Sequence, residues 1–277
     1  MVRAIDTFVN VDMGDFRPEW LVRVTEDYFK QEIETIKTIS IDELREAMDR
    51  AGVERAIITL TGEAPSDHAL AFPKADPERF VLSVAVDPRR GMRAVRELEA
   101  LVRNEPVVLA RITPFMVGGL APNENCYYPV YAKCVELDLP IAVNTGLPGP
   151  PVPGRCQDPL FLDEVCYHFP ELVLVMAHGA DPWWSVAIRL MLKYANLYLQ
   201  TSAYAPKYFP DELVHFMNTR GPHKILFASD HPVLSFERCL REAQELPFRD
   251  GVLERFLYGN ASKLFFERRA PAPAPGS

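Results

Sequence analysis

The sequence predicts an α/β protein built as a single (β/α)8 TIM barrel. Short apolar runs rich in β-branched residues alternate with segments of helical periodicity along almost the whole chain. Such alternation is typical of a parallel sheet, and eight predicted strands favour closure into a barrel. A doubly wound open sheet is the competing architecture. It is the weaker alternative because no glycine-rich turn follows the first strand.

The eight predicted strands are short runs bounded by turn residues or helical segments. They are Val2–Val9, Arg55–Thr61, Phe80–Val86, Val107–Ile112, Pro140–Asn144, Val173–Ala177, Leu197–Thr201 and Ile225–Ala228. The predicted helices are Asp42–Ala51, Met92–Val102, Pro129–Leu137, Leu160–Phe169, Trp183–Tyr194, Pro210–Asn218, Phe236–Glu245 and about Gly251–Phe266. Ser40 followed by Glu43 is a capping-box pattern that opens the first helix. No helix is predicted between the second and third strands.

The domain organisation is predicted to be one barrel over residues 1–267. Residues 268–277 are rich in proline and alanine and are expected to form a disordered tail. The connection from the first strand to the first helix, residues 11–39, is unusually long. Long ordered connections at the top of a barrel are often functional. The connection is therefore expected to form either a lid or an extra helix that shields the barrel mouth.

The composition excludes several classes of protein. Hydrophobic residues make up 48% of the 277 residues, charged residues make up 25%, and the net charge is −8. A negative charge without a Lys/Arg cluster argues against nucleic-acid binding. No apolar run reaches the roughly 20 residues that span a bilayer, and the first residues lack a signal-peptide pattern. Five cysteines without CxxC spacing favour reduced thiols in a cytoplasmic protein over a zinc–thiolate site.

Polar residues stand at the carboxyl ends of the predicted strands, where barrel enzymes place their active sites. Strand alternation places Asp6, Phe8 and Asn10 on one face, which is the lumen of a closed barrel. The remaining polar residues at strand ends are Glu63, Arg111, Asn144, His178, Thr201, Ser202, Asp230 and His231. A carboxylate in the lumen is costly unless it is paired or bound to metal. Three such acids and a histidine therefore predict a bound cation.

Four later segments resemble one family in sequence and in order. Val175–Ala180 (VMAHGA), Leu197–Ser202 (LYLQTS), Ile225–Pro232 (ILFASDHP) and Gly259–Phe265 (GNASKLF) resemble the second half of the amidohydrolase-2 group. Asp49–Val53 and Pro140–Gly146 are similar to its earlier part, so the resemblance covers nearly residues 2–267. The resemblance implies an amidohydrolase-like TIM barrel.

The sequence departs from that group at the metal ligands. The resemblance implies a His-x-His pair on the first strand and a histidine on the fifth, but these positions read Phe8-Val9-Asn10 and Asn144. The late-strand residues His178 and Asp230 remain. A zinc site built largely on imidazole is therefore excluded. Two explanations stay open, no metal or a different metal in a rearranged shell.

The donors that remain are mostly oxygen atoms. Asp6, Asn10, Glu63, Asn144 and Asp230 with His178 would make an oxygen-rich shell that suits iron or manganese better than zinc. The sequence also resembles a branch of amidohydrolase-like nonheme diiron oxygenases that lacks the His-x-His pair. That resemblance implies two iron ions, molecular oxygen as co-substrate, and hydroxylation of a hydrophobic, CoA-linked small molecule by a monooxygenase.

Each candidate has a structural alternative. His178 and Asp230, the predicted catalytic pair, compete with a core histidine and a turn-capping acid. Glu63 competes with a solvated loop residue. His68, Ser202 and His231 are expected to contact substrate or support the ligands, and plain exposure is the alternative for the two histidines. Arg111 is expected either to bind an anionic substrate group or to neutralise the acids. Asp6 competes with a buried structural acid, and Asn10 and Asn144 compete with residues that bond the lumen backbone.

Two further functions remain open. The first is an amidohydrolase-like hydrolase, decarboxylase or hydratase in which Asp230 and His178 transfer protons with one or no divalent metal. The second is a barrel that has lost catalysis and binds a ligand. In every case the expected partner is a small molecule, with no nucleic acid and no membrane, and a homodimer is the expected assembly.

Overall fold

Eight parallel strands form the barrel in a computed structural model that describes residues 3–14 and 17–267. The strands are β1 Ala4–Val9, β2 Val53–Thr61, β3 Phe80–Ala85, β4 Val107–Ile112, β5 Ile141–Asn144, β6 Leu174–Ala177, β7 Leu197–Gln200 and β8 Ile225–Leu226. Each strand pairs with the next in chain order. The Thr7 amide donates to the Phe227 carbonyl at 3.1 Å, which brings β1 against the end of β8. The predicted barrel is confirmed, and the predicted 268–277 tail lies outside the described residues.

Most of the helices lie where the periodicity predicts them. They are α1 Glu19–Arg23, α2 Ile41–Ala51, α3 Asp67–Ala75, α4 Met92–Asn104, α5 Tyr128–Glu136, α6 Leu162–His168, α7 Trp184–Lys193, α8 Asp211–Met217, α9 Phe236–Gln244 and α10 Val252–Glu254. The capping box at Ser40 and Glu43 forms as predicted at the start of α2. After α10 the chain continues through two π-helical turns, Arg255–Gly259 and Ser262–Phe266.

Two elements differ from the sequence prediction. Helix α3 was not predicted, although the Ser66 hydroxyl caps it by accepting from the Ala69 amide. It is only nine residues long and holds Pro73, which weakens the helical signal in the sequence. Strand β8 is shorter than predicted because only Ile225 and Leu226 keep regular ladder pairing.

The core has two layers. Outward-facing residues such as Ile58 and Leu60 of β2 pack against the helices with Phe72 of α3. Inward-facing residues such as Ile5 and Leu109 fill the lumen together with Phe265 of the last turn. The lower barrel is therefore apolar, and the polar residues stay near the carboxyl ends of the strands.

The long connection after β1 is helical in part. It holds α1, a π-helical turn at Val24–Tyr28 and a 3-10 turn at Ile33–Thr35. Asp12 and Thr38 form an antiparallel bridge that closes the base of the connection. Leu21 and Ile36 pack against Val233, which follows β8. These contacts place the connection beside the carboxyl-end rim.

Within residues 3–14 and 17–267 no helix is long and apolar enough to cross a membrane. All five cysteine thiols are free, and four of them are buried.

Candidate active site

Asn10 joins three strands at the carboxyl end of the barrel. Its Nδ2 donates to Asp230 Oδ1 at 2.7 Å, and its Oδ1 accepts from the Thr59 hydroxyl at 2.9 Å. The main-chain amide of Asn10 donates to the His231 carbonyl at 2.8 Å. Both ends of the side chain are therefore engaged by protein. Asn10, predicted as a metal ligand, instead orients the Asp230 carboxyl group.

Asp230 occupies a sharp turn directly after β8. Its φ is +65°, in the left-handed region that is uncommon for a residue with a side chain. Burial raises the pKa of its carboxyl group to about 7, although the hydrogen bond from Asn10 and the charge of Arg111 oppose the shift. A carboxyl group with this pKa exchanges protons readily at neutral pH, which is the property of a general acid or base.

Asp6 does not join the hydrogen-bond network of Asn10 and Asp230, although alternation placed it in the lumen and its charge helps to raise the pKa of Asp230. Its carboxylate accepts from the main-chain amides of Phe8 and Ser229, each at 3.0 Å, and the residue is fully buried. The pairing of β1 with β2 is irregular between Asp6 and Val9, so strict alternation fails there. Burial first, and the charge of Asp6 second, raise the pKa of the Cys239 thiol on α9. Asp6 thus ties β1 to the turn after β8, and the predicted lumen ligand is corrected.

His178 is held at the end of β6 by the strand beside it. Its main-chain amide donates to the Ser202 hydroxyl at 3.1 Å, and its Nδ1 lies 3.2 Å from the Ser202 carbonyl. Because a carbonyl only accepts, Nδ1 carries the proton and Nε2 is left as an acceptor. Burial lowers the pKa of the imidazole to about 4, and the charge of Arg111 acts in the same direction. His178 is therefore neutral at physiological pH, and Ser202 positions it.

The Phe8 ring contacts both the His178 imidazole and the Arg111 guanidinium. Its ring centre lies 4.9 Å from the His178 ring and 4.6 Å from the guanidinium carbon of Arg111. Phe8 is itself buried. An apolar ring consequently fills the position that the family resemblance assigns to the first metal-binding histidine.

Arg111, the penultimate residue of β4, is the buried cation of the site. It is 9% exposed, and none of the ion pairs formed by the described residues includes it. Its Nε has no hydrogen-bond acceptor within the described part of the chain. Burial lowers the pKa of the guanidinium to about 10, against the opposing charge of Asp230. Arg111 stays charged at neutral pH and electrostatically faces Asp230.

Asn10 and Arg111 of the site line a pocket of about 120 Å³, whereas Asp230, His178 and Phe8 are not among its lining residues. It is lined by Asn10, Asp12, Met13, Thr59, Leu60, Thr61, Ser66, Ala69 and Arg111. Thr59 was missed by sequence reasoning, although its alternation with Ile57 and Thr61 on one face of β2 is a readable signal. Asp12 and Ser66 were also missed; their side chains share a 2.6 Å hydrogen bond at the mouth. They lie outside the strands, where spacing predicts nothing.

Three other predicted residues lie outside this cluster or make other contacts. Glu63 is exposed and forms an ion pair of 3.6 Å with Arg90, so it does not join the lumen cluster. His68 lies on α3 and bonds the Ile39 carbonyl through Nε2 at 2.9 Å. The His231 ring stacks on Phe236 with a centre-to-centre distance of 4.2 Å. Asn144 is buried at the end of β5, where it pairs in register with the residue before His178 and so stays at the rim. The structure therefore brings together Asn10, His178, Asp230, Arg111 and Ser202 from the predicted set.

The donor set at this rim does not fit a divalent metal. Among residues 3–14 and 17–267 no three side chains of His, Cys, Asp or Glu converge in a way that could hold an ion. His178 and Asp230 are present, but the neighbouring positions are an aromatic ring and an arginine. Catalytic zinc sites typically have three protein ligands, and an adjacent cation opposes the binding of any divalent ion. The predicted six-residue iron shell is therefore not assembled.

The chain belongs to the amidohydrolase family, whose sequence model matches residues 26–266. It resembles an uncharacterised TIM-barrel protein from Bordetella bronchiseptica at 22% identity and a TM-score of 0.79, over 95% of this chain and 98% of that one. It is similar to 5-carboxyvanillate decarboxylase from Sphingomonas paucimobilis at 17% identity and a TM-score of 0.72, over 96% of this chain and 99% of that one. A dihydroxybenzoic acid decarboxylase from Polaromonas sp. JS666, with bound manganese and 2-nitroresorcinol, matches at 19% identity and 0.63, over 98% of both chains. No curated protein sequence matches this chain significantly. These likenesses establish the fold.

Proposed function

We propose that the protein is an amidohydrolase-type enzyme that decarboxylates a small organic acid, with Asp230 as the proton donor. The observation that carries the proposal is the Asp230 carboxyl group. It is partly buried, within the electrostatic influence of the Arg111 guanidinium, and desolvation holds its pKa at about 7. Such a group is partly protonated at neutral pH and can give a proton to a developing carbanion. The decarboxylases with the same fold support this choice among the family's reactions.

The reaction balances with the residues of the site. The bond between the substrate carbon and its carboxylate breaks, carbon dioxide leaves, and the electron pair stays on the carbon. The Asp230 carboxyl proton moves to that carbon, and a proton from solvent restores the acid. The Arg111 guanidinium stabilises the negative charge of the bound acid and of the carbanion. Neutral His178, whose Nε2 accepts, can receive a hydrogen bond from a substrate hydroxyl.

Asn10 fixes the orientation of the Asp230 carboxyl group. Its amide holds Asp230 Oδ1 at 2.7 Å while Thr59 fixes the other end of the amide at 2.9 Å. The donor carboxyl is thus locked in one orientation before substrate arrives, which reduces the entropic cost of reaching the transition state.

Hydrolysis is the second candidate function. The hydrogen bond from Asn10 Nδ2 to Asp230 favours the ionised carboxylate, which is the form that accepts a proton from an attacking water. The two functions need opposite protonation states of Asp230. The direction of the pH–rate limb near pH 7 therefore distinguishes them.

The iron monooxygenase interpretation finds no support in the site. The carboxylates needed to hold two irons do not converge, since Glu63 is exposed and Asp6 is bound by main-chain amides. A pocket of about 120 Å³ is also well below the roughly 300–1,000 Å³ of drug-sized ligands, which does not favour a CoA ester. The neighbours with bound metal carry manganese and act on aromatic acids by their names.

A panel of aromatic and short aliphatic acids tests the proposal. We expect carbon dioxide release from at least one acid, with solvent deuterium incorporated at the carbon that lost the carboxylate when the reaction runs in D₂O. The matched control is Asp230→Asn, which keeps the shape of the side chain and removes the exchangeable acid. Release of carbon dioxide at an unchanged rate in that variant would refute Asp230 as the donor. Consumption of dioxygen with substrate would favour the oxygenase instead.

A further inference from the structure

We infer that Arg111 and Phe8 take the place of the metal at this rim, so that the pocket binds an organic carboxylate rather than a divalent cation. The inference names the ligand class of the proposed enzyme and in that respect rests on the proposed function. The binding event itself is independent of turnover.

The space next to His178 is filled by an aromatic ring. Phe8 lies 4.9 Å from the imidazole, centre to centre, and offers no lone pair. The guanidinium carbon of Arg111 lies 4.6 Å from the centre of the same ring. A divalent ion bound by His178 would stand in the field of this fixed cation. Repulsion in a poorly solvated pocket strongly opposes such binding.

The Asp230 carboxyl group is already hydrogen-bonded to a side chain of the protein. Its Oδ1 accepts from Asn10 Nδ2 at 2.7 Å, and Asn10 Oδ1 is already bonded to the Thr59 hydroxyl. Recruiting Asp230 and Asn10 to a metal would break both bonds. The polar network is satisfied with protein partners, and Arg111 provides the positive charge that balances the carboxylate in its ionised form.

Arg111 contacts the Phe8 ring, but its guanidinium lacks an ion pair, and its Nε lacks a hydrogen-bond acceptor, among the described residues. A buried guanidinium with no ion pair among the described residues is costly, and its Nε has no acceptor there. A carboxylate offers two parallel oxygen atoms that match the guanidinium fork. Ligand binding would therefore satisfy a cation that the fold itself leaves unsatisfied. This cost is the reason we assign the anion site to Arg111.

The rest of the pocket selects the body of the ligand. Leu60, Ala69 and Met13 contribute apolar surface, and the Phe8 ring packs against the Arg111 guanidinium beside them. The volume of about 120 Å³ admits a small acid and excludes a large conjugate. A monocarboxylate with a compact apolar body fits better than inorganic phosphate, which has no apolar part. Benzoate is a suitable probe.

Isothermal titration calorimetry of the purified full chain tests the inference. The three probes are sodium benzoate, inorganic phosphate and manganese chloride. We expect saturable benzoate binding at one site per chain, at least about tenfold weaker phosphate binding, and no manganese binding at micromolar concentration. Arg111→Met should weaken benzoate about tenfold or more. Arg189→Met, which removes an exposed arginine on α7, is the matched control and should leave benzoate binding unchanged.

Several outcomes would overturn the inference. They are stoichiometric manganese binding by the wild type, absence of benzoate binding, and phosphate binding as tight as benzoate. If Arg111→Met does not fold, the thermal stability of the wild type decides: benzoate should raise Tm and manganese chloride should not. Arg111-dependent benzoate binding without decarboxylation of any acid would refute the proposed function and leave this inference standing. Decarboxylation that needs bound manganese would do the reverse.

Discussion

Two buried cations lie at opposite ends of the barrel and differ in how the fold treats them. Lys224, just before β8 at the amino end, donates from Nζ to the carbonyls of Tyr194, Ala195 and Leu197. Arg111, near the carboxyl end of β4, has no ion pair among the described residues and an Nε without an acceptor. Both are nearly inaccessible to solvent. Burial lowers the pKa of Lys224 to about 8 and that of Arg111 to about 10.

This difference in hydrogen bonding distinguishes a cation with a structural role, Lys224, from one with a role in ligand binding, Arg111. The Lys224 ammonium donates hydrogen bonds to three carbonyls and so secures the chain between α7 and β7. These hydrogen bonds are a sufficient structural explanation for its burial. The Arg111 guanidinium, which contacts the Phe8 ring but forms no ion pair and leaves its Nε without a hydrogen-bond acceptor within residues 3–14 and 17–267, adds to the cost of folding. Such a cost persists where a ligand offsets it, which is typical of binding sites. The carboxyl end is thus the functional end on energetic grounds as well as by topology.

Replacement of Asp230 by Asn should give the largest effect. We expect turnover to fall by about 10²–10⁴-fold, because the acid is lost while the Asn10 contact is retained in shape. Benzoate affinity should change far less, since Arg111 remains. Steady-state kinetics on the best substrate and calorimetry on the same sample measure both quantities. Equal losses of binding and turnover would show that Asp230 acts by structure and would weaken the contrast between the two ends.

The pH dependence of kcat should be that of an enzyme whose catalytic group acts as a proton donor. Burial raises the pKa of Asp230 to about 7, so its acid form predominates below pH 7 and disappears above it. We expect kcat to decline tenfold per pH unit above 7, giving about a 100-fold loss at pH 9. Burial lowers the pKa of His178 to about 4, so neutral imidazole is lost only below pH 4. A rate that instead rises through pH 7 would assign Asp230 as a base and favour hydrolysis.

The two cations should differ in how much stability is lost when their charge is removed. Lys224→Met removes the hydrogen bonds from Nζ to three carbonyls and should lower the free energy of unfolding by about 3 kcal/mol. Arg111→Met removes an unpaired buried charge and should change it by less than about 1 kcal/mol. Urea denaturation of the two variants and wild type gives the comparison. A loss of similar size in both would mean that Arg111 is structural too.

The sequence anticipated the barrel and the late half of the site well. His178 and Asp230 follow strands whose apolar runs and turn motifs are both readable, so their meeting at one rim follows from parallel topology. Arg111 was also placed at a strand end, with its role undecided. Its lack of a partner is a property of the packed lumen and has no counterpart in spacing.

The errors arose where regular periodicity fails. Asp6 was placed in the lumen by alternation, but the irregular pairing of β1 and a pair of main-chain amides take its carboxylate elsewhere. Glu63 and His68 lie beyond the end of β2, where nothing in the sequence fixes the direction of a side chain. Helix α3 was hidden by its short length and Pro73. Tertiary contacts determine the directions of these side chains and the formation of α3.

Glu63→Gln should have the smallest effect and gives the sharpest test of the metal shell. Glu63 is exposed, and its ion pair with Arg90 spans 3.6 Å, so the free energy of unfolding should change by less than about 0.5 kcal/mol. Turnover should be unchanged because the exposed side chain pairs with Arg90 and not with Asp230 or Arg111. Urea denaturation and steady-state kinetics check both expectations. A large drop in turnover, restored by added manganese or iron, would bring Glu63 back to the rim as a ligand. Arg111 would then share its end of the barrel with a metal, and its missing partner would need another explanation.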